Sequence, residues 1–486
     1  MNIKALKYTI LFPMIMFWIF LVVIGVSEKT IENTDTTILL SDSEILVNGM
    51  KIGSEGDIYI SNDIIYYESK DFYNNGNPYG EGVEKDKHTR EEAEGVTVLN
   101  IKKPGKYILK GNLSQGQIRV DLGENAYKDK SAVVTIVLDG VNINCDIAPA
   151  ILFLNVYECD YRRTKENAIM DISTDEAGAN IIIAENSVNN IYGSYVAKIY
   201  KEKGGQKKLW KQDGALTSYM SINIDGVGEG VLNIKAEKEG ICTERHITIN
   251  GGNINICSED DGINASDDFI SVATVNNGNI HIAAGLGESG DGIDSNGWII
   301  MNNGTVISVG HPKVDSGIDN EKGFFANGGT FVSLGNRVDW ADLNSKNPTL
   351  NLQLQNEISS NNAITFTDSA GNVVFCYNPP EDEVISEKLR DCCGIIISSP
   401  DFFIGEKYNM YIGGKTYGKE NLGLYNTSEP VKLEDGTQQM FFADIDFGYG
   451  GYNIEEDKNA NDRKPQEDFC FKKVVNCFAG ITYSTE

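Results

Sequence analysis

The chain has 486 residues, 41% of them hydrophobic, with 50 Gly and only 11 Pro, so it can bury a sizeable core and is neither collagen-like nor a Pro-rich linker protein. Lys and Arg total 42 against 70 Asp and Glu, a formal charge of −28, and no basic stripe interrupts it, which excludes nucleic acid as a partner. Such a surplus of carboxylates serves either solubility or the capture of hard cations.

Taken in chain order, Lys4 and Lys7 precede an uncharged, mostly apolar run from Tyr8 to Val26, with small residues at Gly25 and Ser27. The run is long for a signal-peptide core and just long enough to span a bilayer. Residues 1–27 therefore read as a signal peptide or an N-terminal membrane anchor. Either reading puts the rest of the chain outside the membrane, secreted or on its extracellular face. Residues 28–94 are acidic and polar, with a turn-rich patch from Asn74 to Glu81, and read as an extension or linker. Strand-like alternation starts after Gly95, at Val96 to Ile101, Tyr107 to Leu109, Gln117 to Asp121 and Val133 to Leu138. The stretch 157–215, with its Lys- and Glu-rich segment from Lys198 to Lys211, reads as an insertion off the main body.

A repeat then becomes clear. Gly230, Gly252, Gly278, Gly304 and Gly329 stand 22, 26, 26 and 25 residues apart. Two and four places after each come Leu232 and Ile234, Ile254 and Ile256, Ile280 and Ile282, Val306 and Ser308, and Phe331 and Ser333. This is the period of two that strands require. A second strand precedes each Gly, with inward candidates such as Ile247 and Ile249 or Ile299 and Met301, and a third element carries Gly240-Ile241, Gly262-Ile263, Gly292-Ile293 and Gly317-Ile318. One such unit cannot bury its own apolar positions, but a stack of them can. The fold predicted for residues 95–340 is all-β: a parallel β-helix with coils of about 22–26 residues. Residues 341–486 read as a small C-terminal β extension, with strands at Asn362 to Tyr377 and Gly394 to Gly414, a hairpin turn at Asp368 to Gly371, and an irregular tail from Gly418 that includes a solvated loop from Lys458 to Glu467. Nine Cys are present; Cys470 and Cys477 are near enough in sequence for a local disulfide, and the others suit small buried hydrophobic roles.

The Gly-Ile turns carry the candidate chemistry. Residues before each Gly are Glu239, Asp261, Asp291 and Ser316, and residues two after it are Cys242, Asn264, Asp294 and Asp319. Stacking places these in columns that flank the inward Ile and face outward along one edge. Stacked carboxylates repel one another unless a cation lies between them, and Ca2+ accepts carboxylate, carboxamide and carbonyl oxygens in flexible geometry. Asp261, Asp291, Asp294 and Asp319 are the leading calcium ligands, Asn264 and Asp315 the next, and Asp260 and Asp267 complete the candidate set. The plainer alternative is that Asp-Gly pairs merely make good turns on a solvated face. One strand face also offers Asn253, Asn255, Asn279, His281, Thr305 and Ile307, whose amide and hydroxyl groups suit sugar hydroxyls, and Trp298 or Trp340 could stack on a sugar ring. The same alternation would equally serve to solvate a sheet.

These residues resemble a known family, the clostridial-type extracellular carbohydrate-binding proteins. The likeness rests on Gly105-Lys106-Tyr107, Gly111-Asn112-Leu113, Gly116 to Val120, Leu138 to Ile143, Ala148 to Ile151, the Asp-Gly-Ile coils, Ser369 to Val373, Ile397 to Pro400 and Gly405 to Gly414. The resemblance implies a right-handed parallel β-helix, dependence on calcium held by Asp261, Asp291, Asp294 and Asp319, and binding of polysaccharide, acidic such as pectin or possibly cellulose. This chain departs from the pattern at Asn264, Ser316 and Cys242, each standing where an acid is expected. Calcium-dependent pectic lyases share the fold but need a strong base beside the metal, for which Arg245, Lys313, Lys322 and Arg337 are the candidates; none recurs beside an Asp-Gly-Ile turn. The paired carboxylates of a glycoside hydrolase could be sought at Asp260, Asp261 and Asp294, but bound calcium would keep them ionised. A binding protein rather than an enzyme is expected, with a lyase or a non-catalytic surface scaffold as the alternatives.

Overall fold

Strands pair between coils. The computed structural model describes residues 35–69, 72–73, 82–200, 208–358, 362–379, 391–445 and 464–480. Within them, each repeat contributes three short strands, and each strand hydrogen-bonds in parallel to its counterpart one coil later. The first stack holds Ala179–Ile183, Ile222–Gly226, Ile247–Ile249, Val272–Val275, Trp298–Met301 and Gly323–Ala326. The second holds Val188–Gly193, Val231–Ala236, Asn253–Ser258, Asn279–Ala283, Thr305–Val309 and Thr330–Gly335. The third holds Gly214–Ser218, Glu239–Thr243, Ile263–Ala265, Ile293–Ser295 and Ile318–Asn320. Upstream, Gly105–Leu113 and Val134–Cys145 each run through the first two stacks, and Thr97–Ile101, Gly116–Asp121 and Ile151–Asn155 extend the third. The body is a β-solenoid.

Register explains why this sequence winds this way. Leu232, Ile254, Ile280, Val306 and Phe331 pair in one column, and none is more than 1% exposed. Ile241, Ile263, Ile293 and Ile318 form another, equally buried. Each buried aliphatic side chain contributes about 1.5–3 kcal/mol, and the gain appears only when a neighbouring coil is in place. Glycine serves two separate needs. At the corner, Gly252, Gly278, Gly304 and Gly329 all have positive φ, from 74° to 118°, where other residues are strained. In the Gly-Ile element the need is space: a Cβ on Gly262 would lie 2.2 Å from Ile282 Cγ2 and 2.6 Å from the Gly292 carbonyl oxygen.

The structure corrects four expectations. Residues 157–215 are not one insertion, because Ala179–Ile183 and Val188–Gly193 are full members of the first two stacks, with Ile181, Ile183 and Ile191 in the core. Only the loop before Ala179 and the antiparallel hairpin of Val196–Tyr200 with Lys208–Gln212 leave the coil path. Residues 28–94 are not a linker throughout: Thr36–Leu40 pairs in parallel with Gly105–Leu113, and Ile58–Ser61 pairs antiparallel with Thr97–Ile101, capping the first coil. The tail is not wholly irregular, since Val474–Ala479 returns to pair with Thr349–Ile358. Cys470 and Cys477 are both free thiols, one exposed and one buried.

The C-terminal strands cover one face of the last coils. Cys392–Ser398 pairs antiparallel with Thr330–Gly335 and with Thr349–Ile358. A second core joins Ile307, Val309, Val332 and Leu334 of the solenoid to Leu350, Leu352, Ile395 and Ile397. The hairpin expected at Asp368 to Gly371 is present between Ile364–Asp368 and Val373–Tyr377. The run from Tyr8 to Val26, the patch from Asn74 to Glu81 and residues 458–463 lie outside the described residues. Among the described residues no helix is long and apolar enough to cross a membrane.

Candidate metal centre

The Gly-Ile turns stack as two adjoining columns. In the first, Cys242, Asn264, Asp294 and Asp319 are in register across four coils. In the second, Glu239, Asp261, Asp291 and Ser316 are tied by backbone: the N–H of Gly240, Gly262 and Gly292 donates to the carbonyls of Asp261, Asp291 and Ser316 at 2.9–3.0 Å. Carboxylates also accept from backbone one coil away, Asp261 from the Asp291 N–H (2.8 Å), Asp291 from the Ser316 N–H (2.7 Å) and Asp315 from the Gly290 N–H (2.6 Å).

The columns meet at Asn264. Its Nδ2 lies 2.9 Å from Asp261 Oδ2, 3.2 Å from Glu239 Oε1 and 3.3 Å from Asp294 Oδ2, so carboxylates from three successive coils converge on one atom. Asn264 is only 6% exposed, and among the described residues its Oδ1 has no hydrogen-bond partner; nor has Oε2 of buried Glu239. One of the four leading ligands is buried rather than on an open edge as expected. Asp291 is buried at 8% exposure and Asp294 and Asp261 are only partly open, while Asp319 keeps more access.

Burial decides the electrostatics. It is the main reason that the carboxyl of Asp291 is pushed up to about 9, with Asp319, Asp261 and Asp315 adding repulsion. Burial followed by repulsion from Asp261, Asp319 and Glu239 raises Asp294 to about 8. Burial raises Glu239 to about 7 although Lys211 opposes it, and burial with Asp260 raises Asp261 to about 6. Carboxyls with such values hold protons near neutrality or need a cation in their place.

Among the described residues, no three His, Cys, Asp or Glu side chains close on a single point tightly enough to hold a metal ion as they stand. The central position is filled by the Asn264 amide nitrogen. A half-turn of that amide exchanges Nδ2 for the unpartnered Oδ1. An oxygen there, facing three carboxylates, is tenable around a cation or where one of those carboxyls keeps its proton and donates to it. The donors of Glu239, Asp261, Asn264 and Asp294 are then all oxygen, which fits calcium in kind.

The remaining candidates separate. Asp260 belongs to a neighbouring polar cleft with Asp213 and Lys238, which pair at 2.9 Å. Asp267 is not part of the columns, because Arg245 holds it at 3.1 Å. Asp319 lies 3.5 Å from Arg337, and beyond it Asp339, raised to about 7 chiefly by burial and then by Asp319, accepts from the Asn320 backbone. Sequence reasoning left Glu239 and Asp339 out of the ligand set. Glu239 was in phase with Asp261 and could have been included; Asp339 follows the last repeat and carries no Gly-Ile signal.

Of the sugar-facing candidates, Asn253, Asn279 and Thr305 share an accessible column, with the Asn279 amide donating to Asn253 Oδ1 at 2.9 Å. Asn255, His281 and Ile307 share the next, but His281 and Ile307 are 7% and 1% exposed, so neither is on an open face. The apolar C-terminal layer packed on Ile307 and Val332 closes that end. Trp298 is half-buried, with the Lys322 ammonium 4.4 Å from its ring centre, and Trp340 packs against the main core.

A family model described as carbohydrate-binding domain-containing protein matches residues 94–339, just over half of the chain. No curated protein matches. A solved structure described as a polysaccharide lyase-like protein from C. thermocellum, as its gadolinium derivative, is similar at 18% identity over 60% of this chain and 92% of that chain. Its TM-score is 0.35, and a likeness at that level carries no argument.

Proposed function

The chain belongs to the family of carbohydrate-binding domain-containing proteins, and on that premise we propose that it is a secreted or cell-surface polysaccharide-binding protein whose coils are locked by calcium. The convergence of Glu239, Asp261 and Asp294 on Asn264 carries the reading, because three coils then share one hard cation. The solenoid takes the right-handed sense that parallel crossovers adopt almost without exception. Burial makes the cation chiefly a clamp between coils. The more open Asp319 end of the column is where the carboxylate of an acidic glycan, such as polygalacturonate, would approach it. Without a cation a chain of −28 charge repels such a polymer.

Calorimetry of the whole protein with polygalacturonate tests this. Uptake in calcium that disappears with chelator is expected; uptake that ignores the chelator overturns the bridge. We propose binding without turnover. Arg337, 3.5 Å from Asp319, is the one observation favouring a lyase instead, and unsaturated products from polygalacturonate would establish that second reading.

A further inference from the structure

The second stack carries a line of five asparagines. Asn112, Asn142, Asn190, Asn233 and Asn255 are in register across five coils. From Asn142 onward each amide nitrogen donates to the carbonyl oxygen of the preceding rung, at 2.5, 2.5, 2.9 and 2.9 Å. The first three are exposed and the last two half-buried. Beside them lies a groove of about 830 Å³. Its neighbouring column places Tyr192 next to Lys235, and the Tyr192 hydroxyl donates to Glu237 at 2.5 Å, which holds the ring at the wall. Leu286 stands at the far end, where the next rungs, His281 and Ile307, are buried.

We infer that this groove binds an extended, neutral, hydroxyl-rich glycan laid along the solenoid axis. A carboxamide has two N–H donors and two acceptor lone pairs. The ladder uses one of each, so every interior rung keeps a donor and an acceptor for sugar hydroxyls. The rungs repeat at about 4.8 Å and span about 19 Å, long enough for several sugar rings in line. The line itself is uncharged, so it needs no counter-ion on the ligand, and Tyr192, with the Lys235 ammonium 5.8 Å from its ring centre on one side, has its other side for a sugar ring. Asn112 is exposed at one end, and the buried rungs His281 and Ile307 end the line beyond Asn255 at the other, which stops the ligand on that side. A ladder that only stabilised the sheet would need neither a groove beside it nor an aromatic wall.

This site rests on the carbohydrate-binding reading but not on the cation. The test titrates the full chain in calcium with cellohexaose and, separately, with polygalacturonate. Wild type is expected to bind both. Asn190→Ala and Tyr192→Ala, each checked for an unchanged melting curve shape, should weaken cellohexaose about tenfold and leave polygalacturonate unaffected. Asn302→Ala, in the separate turn ladder of Asn276, Asn302 and Asn327, should change neither. Uptake of polygalacturonate alone overturns the groove and spares the cation reading, whereas uptake of neither overturns both. Cellohexaose affinity unmoved in Asn190→Ala and Tyr192→Ala, or lowered equally in Asn302→Ala, also overturns the groove.

Discussion

Two columns of the same solenoid meet the same geometric demand with opposite chemistry. At the Gly-Ile turns the repeated group is a carboxylate, and in the second stack it is a carboxamide. Stacking at about 4.8 Å makes each residue the neighbour of its own kind. A carboxamide donates to one rung and accepts from the next, so the asparagine line holds together without a proton or a cation. Carboxylates only accept, so their column depends on backbone N–H groups, on Asn264, on protons or on a metal. One column is self-contained; the other is a conditional structure whose stability belongs partly to what it binds.

The largest expected effect is on the charged column alone. With calcium at a hundredfold excess over its dissociation constant, binding to the folded state adds about 2.7 kcal/mol, so chelator should lower Tm by several degrees in a melting experiment. The pH dependence sharpens this. Asp291 and Asp294, raised by burial to about 9 and about 8 from 3.8, take up protons on folding. Their favourable contribution is full below about pH 4 and fades as pH rises through 8–9. Metal-free protein should therefore melt lower at pH 9 than at pH 5, and the rise produced by calcium should be larger at pH 9. A smaller and more diagnostic effect is expected for Asp294→Asn at pH 9, where that carboxyl is ionised: it should raise the chelated protein's stability by about 1 kcal/mol by relieving repulsion, yet weaken calcium about tenfold by removing a donor. Loss of stability both with and without calcium would contradict the like-charge account. The smallest effect is Asn142→Ala on the exposed amide line, costing about 0.5 kcal/mol by loss of its rung bonds, with the same cost at every pH and calcium concentration.

Periodicity made much of this legible. The inward sets at Leu232, Ile254 and Ile280 and the Ile241 to Ile318 column follow from a repeat that holds its phase, and the same phase lined up Asn264, Asp294 and Asp319. Phase shows which residues stack but not what covers them. Ile307 alternates as an outward residue should, yet the C-terminal layer that buries it comes from strands far along the chain. Most of the asparagine line escaped for a different reason. Its rungs are 30, 48, 43 and 22 residues apart, because loops and a hairpin of unequal length separate the early coils. Register survives such irregularity in space, but no fixed period records it.

The most direct test is calorimetric titration of calcium into the chelator-stripped whole chain, repeated with Asp261→Asn and Asp294→Asn. If successive coils share the ion, wild type binds with measurable heat and each substitution on its own weakens the same site. Calcium that produces no heat and no change in Tm, or that binds both variants as tightly as wild type, would contradict a cation held between coils.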